Sequence, residues 1–174
     1  MDNTLLIYSS KDGQTEKISN FIHEKIKNSN QLKIIKIEFI DQEKLDNYSK
    51  IILGASIRYG KHSDKIYNFV KKNLKLLNQK KTAFFSVNVV ARKPEKNTPE
   101  TNPYVIKFLK KTKWNPSLLG VFAGKVDYPS YGFFDKYIIK LIMFMTKGPL
   151  DTSKSYEFTD WQKVQVFSDQ LDQL

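Results

Sequence analysis

The chain has no cysteine, and only two of its 29 basic residues, Arg58 and Arg92, are arginines. Without thiols, disulfides, thiolate zinc sites and thiol nucleophiles are excluded, and the composition suits a reducing cytoplasm. Histidine is equally scarce: His23 falls on or near the polar side of a helical pattern and His62 reads as a cap or surface residue. No general base can be named and no metal set is expected. Met1-Asp2-Asn3 leads into an apolar run with no basic segment or long apolar stretch before it, so a cytoplasmic start is expected. What remains is globular: 174 residues, 40% hydrophobic and 13% aromatic, enough for one domain over residues 1–174 with a proper core. The formal charge of +11 points to anionic partners, be they nucleic acid, an acidic membrane face or a carboxylated substrate. Two isolated arginines among lysines mark either places that need a planar, two-pronged donor or chance usage.

Leu5-Leu6-Ile7-Tyr8 reads as a short buried strand, followed by Ser9-Ser10-Lys11-Asp12-Gly13-Gln14-Thr15 and a helical pattern from Gln14 to Asn28. A hydroxyl- and glycine-bearing turn at a helix start can hold a phosphate without a metal, through free N–H groups and Ser and Thr donors. The same residues also serve as ordinary helix caps. Further strands are expected at Leu32–Ile40, Lys50–Gly54, Thr82–Val89 and Leu118–Gly124, with helices at Asp64–Leu77 and Tyr104–Lys113. The third strand runs into a loop bracketed by Gly54 and Gly60, where open α/β sheets bind ligands. The fourth runs into a proline-rich stretch, Val90 to Pro103, expected to be a long loop without regular structure. The alternation predicts an α/β fold, a doubly wound five-stranded parallel sheet in the order 2-1-3-4-5 with an insertion at about 125–150.

That insertion carries Phe133 to Lys147, a helical pattern apolar over most of its circumference, with Lys136 and Lys140 on one face. At about 1.5 Å per residue it is too short for a hydrocarbon core of about 30 Å. Two roles stand open: a helix lying in a membrane interface with its lysines toward headgroups, or a core helix covering a sheet edge. Met143 is a residue of adaptable apolar contacts. A last amphipathic helix is expected from a Thr159-Asp160 cap through Leu171.

Three loops therefore meet at one sheet edge. Together they meet the needs of FMN: anion donors for its phosphate, an aromatic slot for its ring and backbone groups at the ring's polar edge. There is no Gly-x-Gly-x-x-Gly for a dinucleotide and no Walker lysine. The spacing Ser10-x-x-Gly13-x-Thr15 resembles the flavodoxin phosphate loop. More specifically, Gly54-Ala55-Ser56-Ile57-Arg58-Tyr59-Gly60, the run Ser86 to Lys96 with Thr98-Pro99, Lys140-Leu141-Ile142-Met143 and Thr159-Asp160-Trp161 resemble the bacterial menaquinone-dependent protoporphyrinogen oxidases of the flavodoxin-like class, over essentially the whole chain.

The resemblance implies removal of six electrons from protoporphyrinogen IX in three steps, through FMN to menaquinone or ubiquinone, in haem synthesis. It implies that Ser10, Lys11, Asp12, Gly13, Gln14 and Thr15 hold the phosphate. Ser56, Ile57, Arg58, Tyr59 and Gly60, with Ser86, Val87, Asn88, Val89, Val90, Ala91 and Arg92, would line the ring, Tyr59 stacking on it. Arg58, Arg92, Lys136, Lys140, Met143 and Phe144 become candidates for substrate or membrane contact, at the cytoplasmic face of the cell membrane. A homo-oligomer is compatible with this reading. In that family the residues just before the inserted helix are richer in arginine; here Asp127, Ser130 and Gly132 stand there, so that stretch offers the substrate no cation. Rival readings are a flavodoxin-type electron carrier or a quinone reductase, which share the FMN loops. A carrier should be acidic, unlike this chain. A nucleic-acid-binding protein would explain the charge but not the loops, and no nucleic-acid partner is expected.

Overall fold

In the computed structural model, which describes residues 3–27 and 29–174, the chain runs through β1 (Thr4–Ser9), α1 (Gln14–Lys25), β2 (Leu32–Lys36), β3 (Lys50–Arg58), β4 (Lys61–His62), α2 (Asp64–Leu77) and β5 (Lys81–Val87). It continues through α3 (Pro103–Thr112), β6 (Leu118–Phe122), β7 (Lys125–Asp127), α4 (Phe133–Met145), β8 (Ser155–Glu157) and α5 (Trp161–Gln173). The five long strands pair in parallel in the order β2-β1-β3-β5-β6, the predicted order. Alternation along each strand splits the core in two. Leu5, Ile7, Ile51, Leu53 and Phe84 meet α2 and α3 through Ile66, Val70, Val105 and Phe108. Leu6, Ile52, Ala83 and Phe85 meet α1 and α5 through Ile18, Ile22, Val164 and Leu171. Gly54 in central β3 leaves room for Phe85, whose Cζ would lie 2.2 Å from a Cβ there.

The second strand is shorter than predicted. Its last pair is Tyr8 with Lys36, and the last β1 residue, Ser9, pairs only with Ala55 of β3. Ile37–Gln42 coils into a 3₁₀ turn that buries Ile37. The first helix is described to Lys25, and its predicted end at Asn28 lies outside the described residues. The proline-rich stretch is more regular than expected. Two 3₁₀ turns, Val89–Arg92 and Pro94–Lys96, are tied down by buried Asn102, whose Nδ2 donates to Asn88 Oδ1 at 3.1 Å and to Lys96 O at 2.8 Å.

His62 is not at the surface. It is 1% exposed, edge-on to Phe84 and Phe108, with Nδ1–H donating to Ser56 O at 3.3 Å and Nε2 unpartnered. Burial pushes its pKa down to about 4, against the weaker upward pull of the Ser56 bond. The unfolded chain then binds the extra proton between about pH 6.5 and pH 4, so stability is full above that window and is lost as pH falls through it. Unfolding titrations should show about 2 kcal/mol lost between pH 7 and pH 5, a loss that His62→Leu removes. An unchanged pH slope in that variant would assign the loss to other groups.

Candidate functional site

The site begins where β1 gives way to α1. Gly13 takes a left-handed conformation (φ 80°), and the helix starts without a side-chain cap. Its first intrahelical bond is Lys17 N–H to Gly13 O at 3.0 Å, so the N–H groups of Gln14, Thr15 and Glu16 precede the ladder. Buried Ser10 Oγ and Thr15 Oγ1 have no hydrogen-bond partner. Gln14 Nε2 is otherwise engaged, donating to Thr159 Oγ1 at 2.8 Å, which in turn donates to Ala123 O at 2.8 Å. Two orphaned hydroxyls beside a bare helix start form a set that an anion satisfies.

Beyond this loop opens a cleft of about 750 Å³, counting its solvent-facing mouth. One wall is the hairpin from β3 to β4, whose two-residue turn holds Tyr59 at φ 49° and Gly60 at φ 77°. A tyrosine in that conformation is strained, and it lies 54% exposed on the cleft rim. Val87, Asn88, Val89 and Val90 form the second wall and Gly124 to Val126 the floor, while Tyr131, Ile139, Ile142 and Met143 close the far side. Asn88 is fixed by donating to Ser86 Oγ at 3.1 Å while its Oδ1 accepts from Ala91 N–H at 3.1 Å.

Arg58 joins the loop to the inserted helix. Its Nη1 donates to both oxygens of Asp12 at 3.2 and 3.0 Å, its Nη2 to Asp135 Oδ2 at 2.5 Å, and its plane lies between the rings of Tyr59 and Tyr131. Tyr59 also donates its hydroxyl to Asp135. Partial burial pushes the Asp12 carboxyl up although Arg58 pulls the other way, while the Tyr59 bond and Arg58 hold Asp135 below the usual range. Arg92 holds the other end of α4, with Nη1 on Val89 O at 3.0 Å and Nη2 on Thr146 O at 2.7 Å. A guanidinium at the last carbonyls of a helix complements its dipole.

Helix α4 has three faces, as a turn of about 100° per residue requires. Asp135, Ile139, Ile142 and Met143 face the cleft side, with Met143 buried against Val126, Tyr128 and Tyr131. Nearly opposite stands an exposed ridge of Phe133, Phe134, Tyr137, Ile138, Leu141, Phe144 and Met145. Lys136 and Lys140 fall within an arc of about 40° between the two faces, and Lys147 follows two residues past the helix end at φ 55°. They take part in none of the ion pairs among the described residues. No helix is long and apolar enough to cross a membrane, and no group of acidic, His or Cys side chains able to hold a metal occurs, among the described residues.

The structure brings Ser10, Asp12, Gln14, Thr15, Ser56–Gly60, Val87–Val90 and Met143 to one cleft. It sets the other predicted residues elsewhere. Lys11 borders the far side of the loop, Ser86 and Ala91 are buried beneath the wall, and Arg92 turns to Thr146. Phe144 is 65% exposed on the outer ridge. Besides Asp135, held on Arg58, sequence reasoning missed Tyr104, Gly124, Lys125, Val126, Tyr131, Ile139 and Ile142 at the cleft. The helical period alone could have found the last two, since they share a stripe with Met143.

A family model described as "Flavodoxin domain" matches residues 5–153. The chain is 41% identical over 169 residues, 97% of its length, to the Escherichia coli K12 protein named protoporphyrinogen IX dehydrogenase [quinone], covering 93% of that protein. It is 42% identical over 166 residues to the Leishmania major protein of the same name, covering 94% of this chain and 72% of that one. Among solved structures, an archaeal flavodoxin aligns with a TM-score of 0.53 at 15% identity, covering 98% of this chain and 96% of that one. The two-electron reduced flavodoxin of Megasphaera elsdenii aligns with a TM-score of 0.51 at 16% identity, covering 68% and 84%. These structural likenesses show the fold.

Proposed function

The chain belongs to the flavodoxin-domain family of quinone-dependent protoporphyrinogen IX dehydrogenases, and we propose from this that it binds FMN in the cleft and oxidises protoporphyrinogen IX to protoporphyrin IX, with a quinone as final electron acceptor. The observation that carries the reading is the pair of orphaned hydroxyls, Ser10 Oγ and Thr15 Oγ1, at an uncapped helix start opening onto an apolar-walled cleft. Residues present fit the cofactor: a dianionic phosphate supplies the acceptors these groups lack, and the walls at Ile57–Tyr59 and Val87–Val90 take a flat ring. Bound there, FMN supplies the two-electron chemistry that no side chain offers.

The chain's own groups bind and orient. Backbone N–H groups of residues 14–16 and the two hydroxyls neutralise the phosphate without a metal, and the strained Tyr59 presents an aromatic face at the rim. Ile139, Ile142 and Met143 exclude water from the far wall and give an apolar surface to a tetrapyrrole. Arg58, one of two cations in the cleft lining with Lys125, can meet a substrate carboxylate through two parallel N–H bonds.

Placement completes the reading. The α4 ridge and its lysine stripe lie in the headgroup region of an anionic membrane, peripheral to the bilayer on its cytoplasmic face, with the opposite face of the same helix closing the cleft. A lipid-dissolved menaquinone or ubiquinone then meets the enzyme at the roof of its cofactor site. The test has two stages. Purified protein titrated with FMN should give a bound-flavin spectrum; none would end the reading. The loaded protein should convert protoporphyrinogen IX to fluorescent porphyrin anaerobically only when a quinone is added, and FMN binding without that conversion would leave an electron carrier.

A further inference from the structure

The two ends of α4 are fastened by different chemistry. At its C-terminal end Arg92 bonds backbone carbonyls, which no ligand replaces. At its N-terminal end Arg58 is shared by two carboxylates, Asp12 of the first loop and Asp135 of the helix. Arg58 itself is fixed: its side chain is 15% exposed and lies between two tyrosine rings with centroids at 5.1 and 5.2 Å. Asp135 is 34% exposed on the first turn of a helix whose outer side faces solvent, and it also accepts from the Tyr59 hydroxyl. Two carboxylates share one guanidinium with Lys11 close to both, and a carboxylate that took the place of Asp135 would find the same two donors, Arg58 Nη2 and the Tyr59 hydroxyl.

We propose that Asp135 occupies the carboxylate position on Arg58 that a propionate of the substrate takes, making Asp135 a positioning and specificity-determining residue that acts through Arg58. The exchange is ion pair for ion pair and moves no proton. This inference rests on the porphyrinogen reading above.

The test uses the FMN-loaded chain and two porphyrins that need no turnover, mesoporphyrin IX and its dimethyl ester, with binding followed by porphyrin fluorescence anisotropy. The dicarboxylate should bind more tightly than the ester to the unaltered protein. Asp135→Asn should tighten the dicarboxylate a further three- to five-fold or so, the scale of a half-exposed ion pair removed from competition, and leave the ester unchanged. Asp135→Glu should behave as the parent. Arg58→Gln should erase the preference, and adding Asp135→Asn to it should change nothing. In turnover, Asp135→Asn should lower KM by the same factor with kcat within about two-fold. If Asp135→Asn leaves the acid-to-ester ratio unchanged or weakens the dicarboxylate, Asp135 is a structural tie and the exchange is wrong. If neither porphyrin binds any variant while FMN remains bound, the porphyrinogen reading fails and the exchange falls with it.

Discussion

Ser10→Ala combined with Thr15→Val is expected to weaken FMN binding by about 100-fold or more while leaving the FMN-free protein as stable as before, or slightly more so. The expectation follows from what the two hydroxyls do without a ligand. Both are buried and neither has a partner, so each carries a desolvation cost of about 1–3 kcal/mol that the substitutions remove. With a phosphate present each makes a hydrogen bond to a charged acceptor, worth about 1.5–3 kcal/mol, and both are lost together. The two effects have opposite sign, and this separates a cofactor loop from a helix cap. Capping would predict a destabilised apo protein, since removing a cap costs about 1 kcal/mol. Fluorescence titration of FMN paired with urea unfolding of the apo form reads both signs. Unchanged FMN affinity with lower apo stability would return Ser10–Thr15 to the status of an ordinary helix start.

The parts of this site legible in the sequence are those governed by local rules. Ser10-x-x-Gly13-x-Thr15 could be read as a strand-to-helix turn because a glycine just before a helical pattern marks one locally; by itself it suited a cap as well as a phosphate, and the loops at Gly54–Gly60 and Ser86–Arg92 were needed to choose. Sheet order followed from right-handed crossovers between short apolar strands, and the two core layers from period-two alternation. What was not legible depends on contacts across long separations. Asp135 looks like a helix-start acid, and only the fold brings it to Arg58, 77 residues away. Arg92 lies in the stretch predicted to line the ring, yet a 3₁₀ turn sends its side chain outward to Thr146. His62 misled because polarity suggested the surface, whereas the two-residue turn at Tyr59–Gly60 folds it back onto Phe84 and Phe108. The β7–β8 pair that brackets the insertion was missed because three-residue strands carry too little periodicity to see. The suspicion about the arginines was sound in kind: each sits where a fork of donors is needed, and together they hold the two ends of one helix.

The α4 ridge carries the second large effect. Phe134→Asp, Leu141→Asp and Met145→Asp together should abolish sedimentation with anionic vesicles, a drop of at least about 100-fold in partitioning, because full burial of each such side chain contributes about 1.5–3 kcal/mol. FMN affinity should not change, since none of the three lines the cleft. The lysine stripe makes a separable contribution. Lys136→Gln, Lys140→Gln and Lys147→Gln should remove the preference for anionic over neutral vesicles, at about 1 kcal/mol per lysine at low salt, and leave binding to neutral ones. Ile139→Asp provides the contrast, because it lies on the cleft face of the same helix: it should disturb the cofactor site and spare vesicle binding. A core-helix reading predicts another pattern, with the outer substitutions silent toward vesicles. It has to explain why Phe134 and Met145 stand 80% and 74% exposed beside Met143 at 1%. A helix that is apolar outside, apolar inside and cationic along one edge has two apolar neighbours to serve, and the cleft supplies only one of them. If the outer neighbour is lipid, the distance a quinone must travel from bilayer to cofactor is about the width of a single helix, roughly 10 Å.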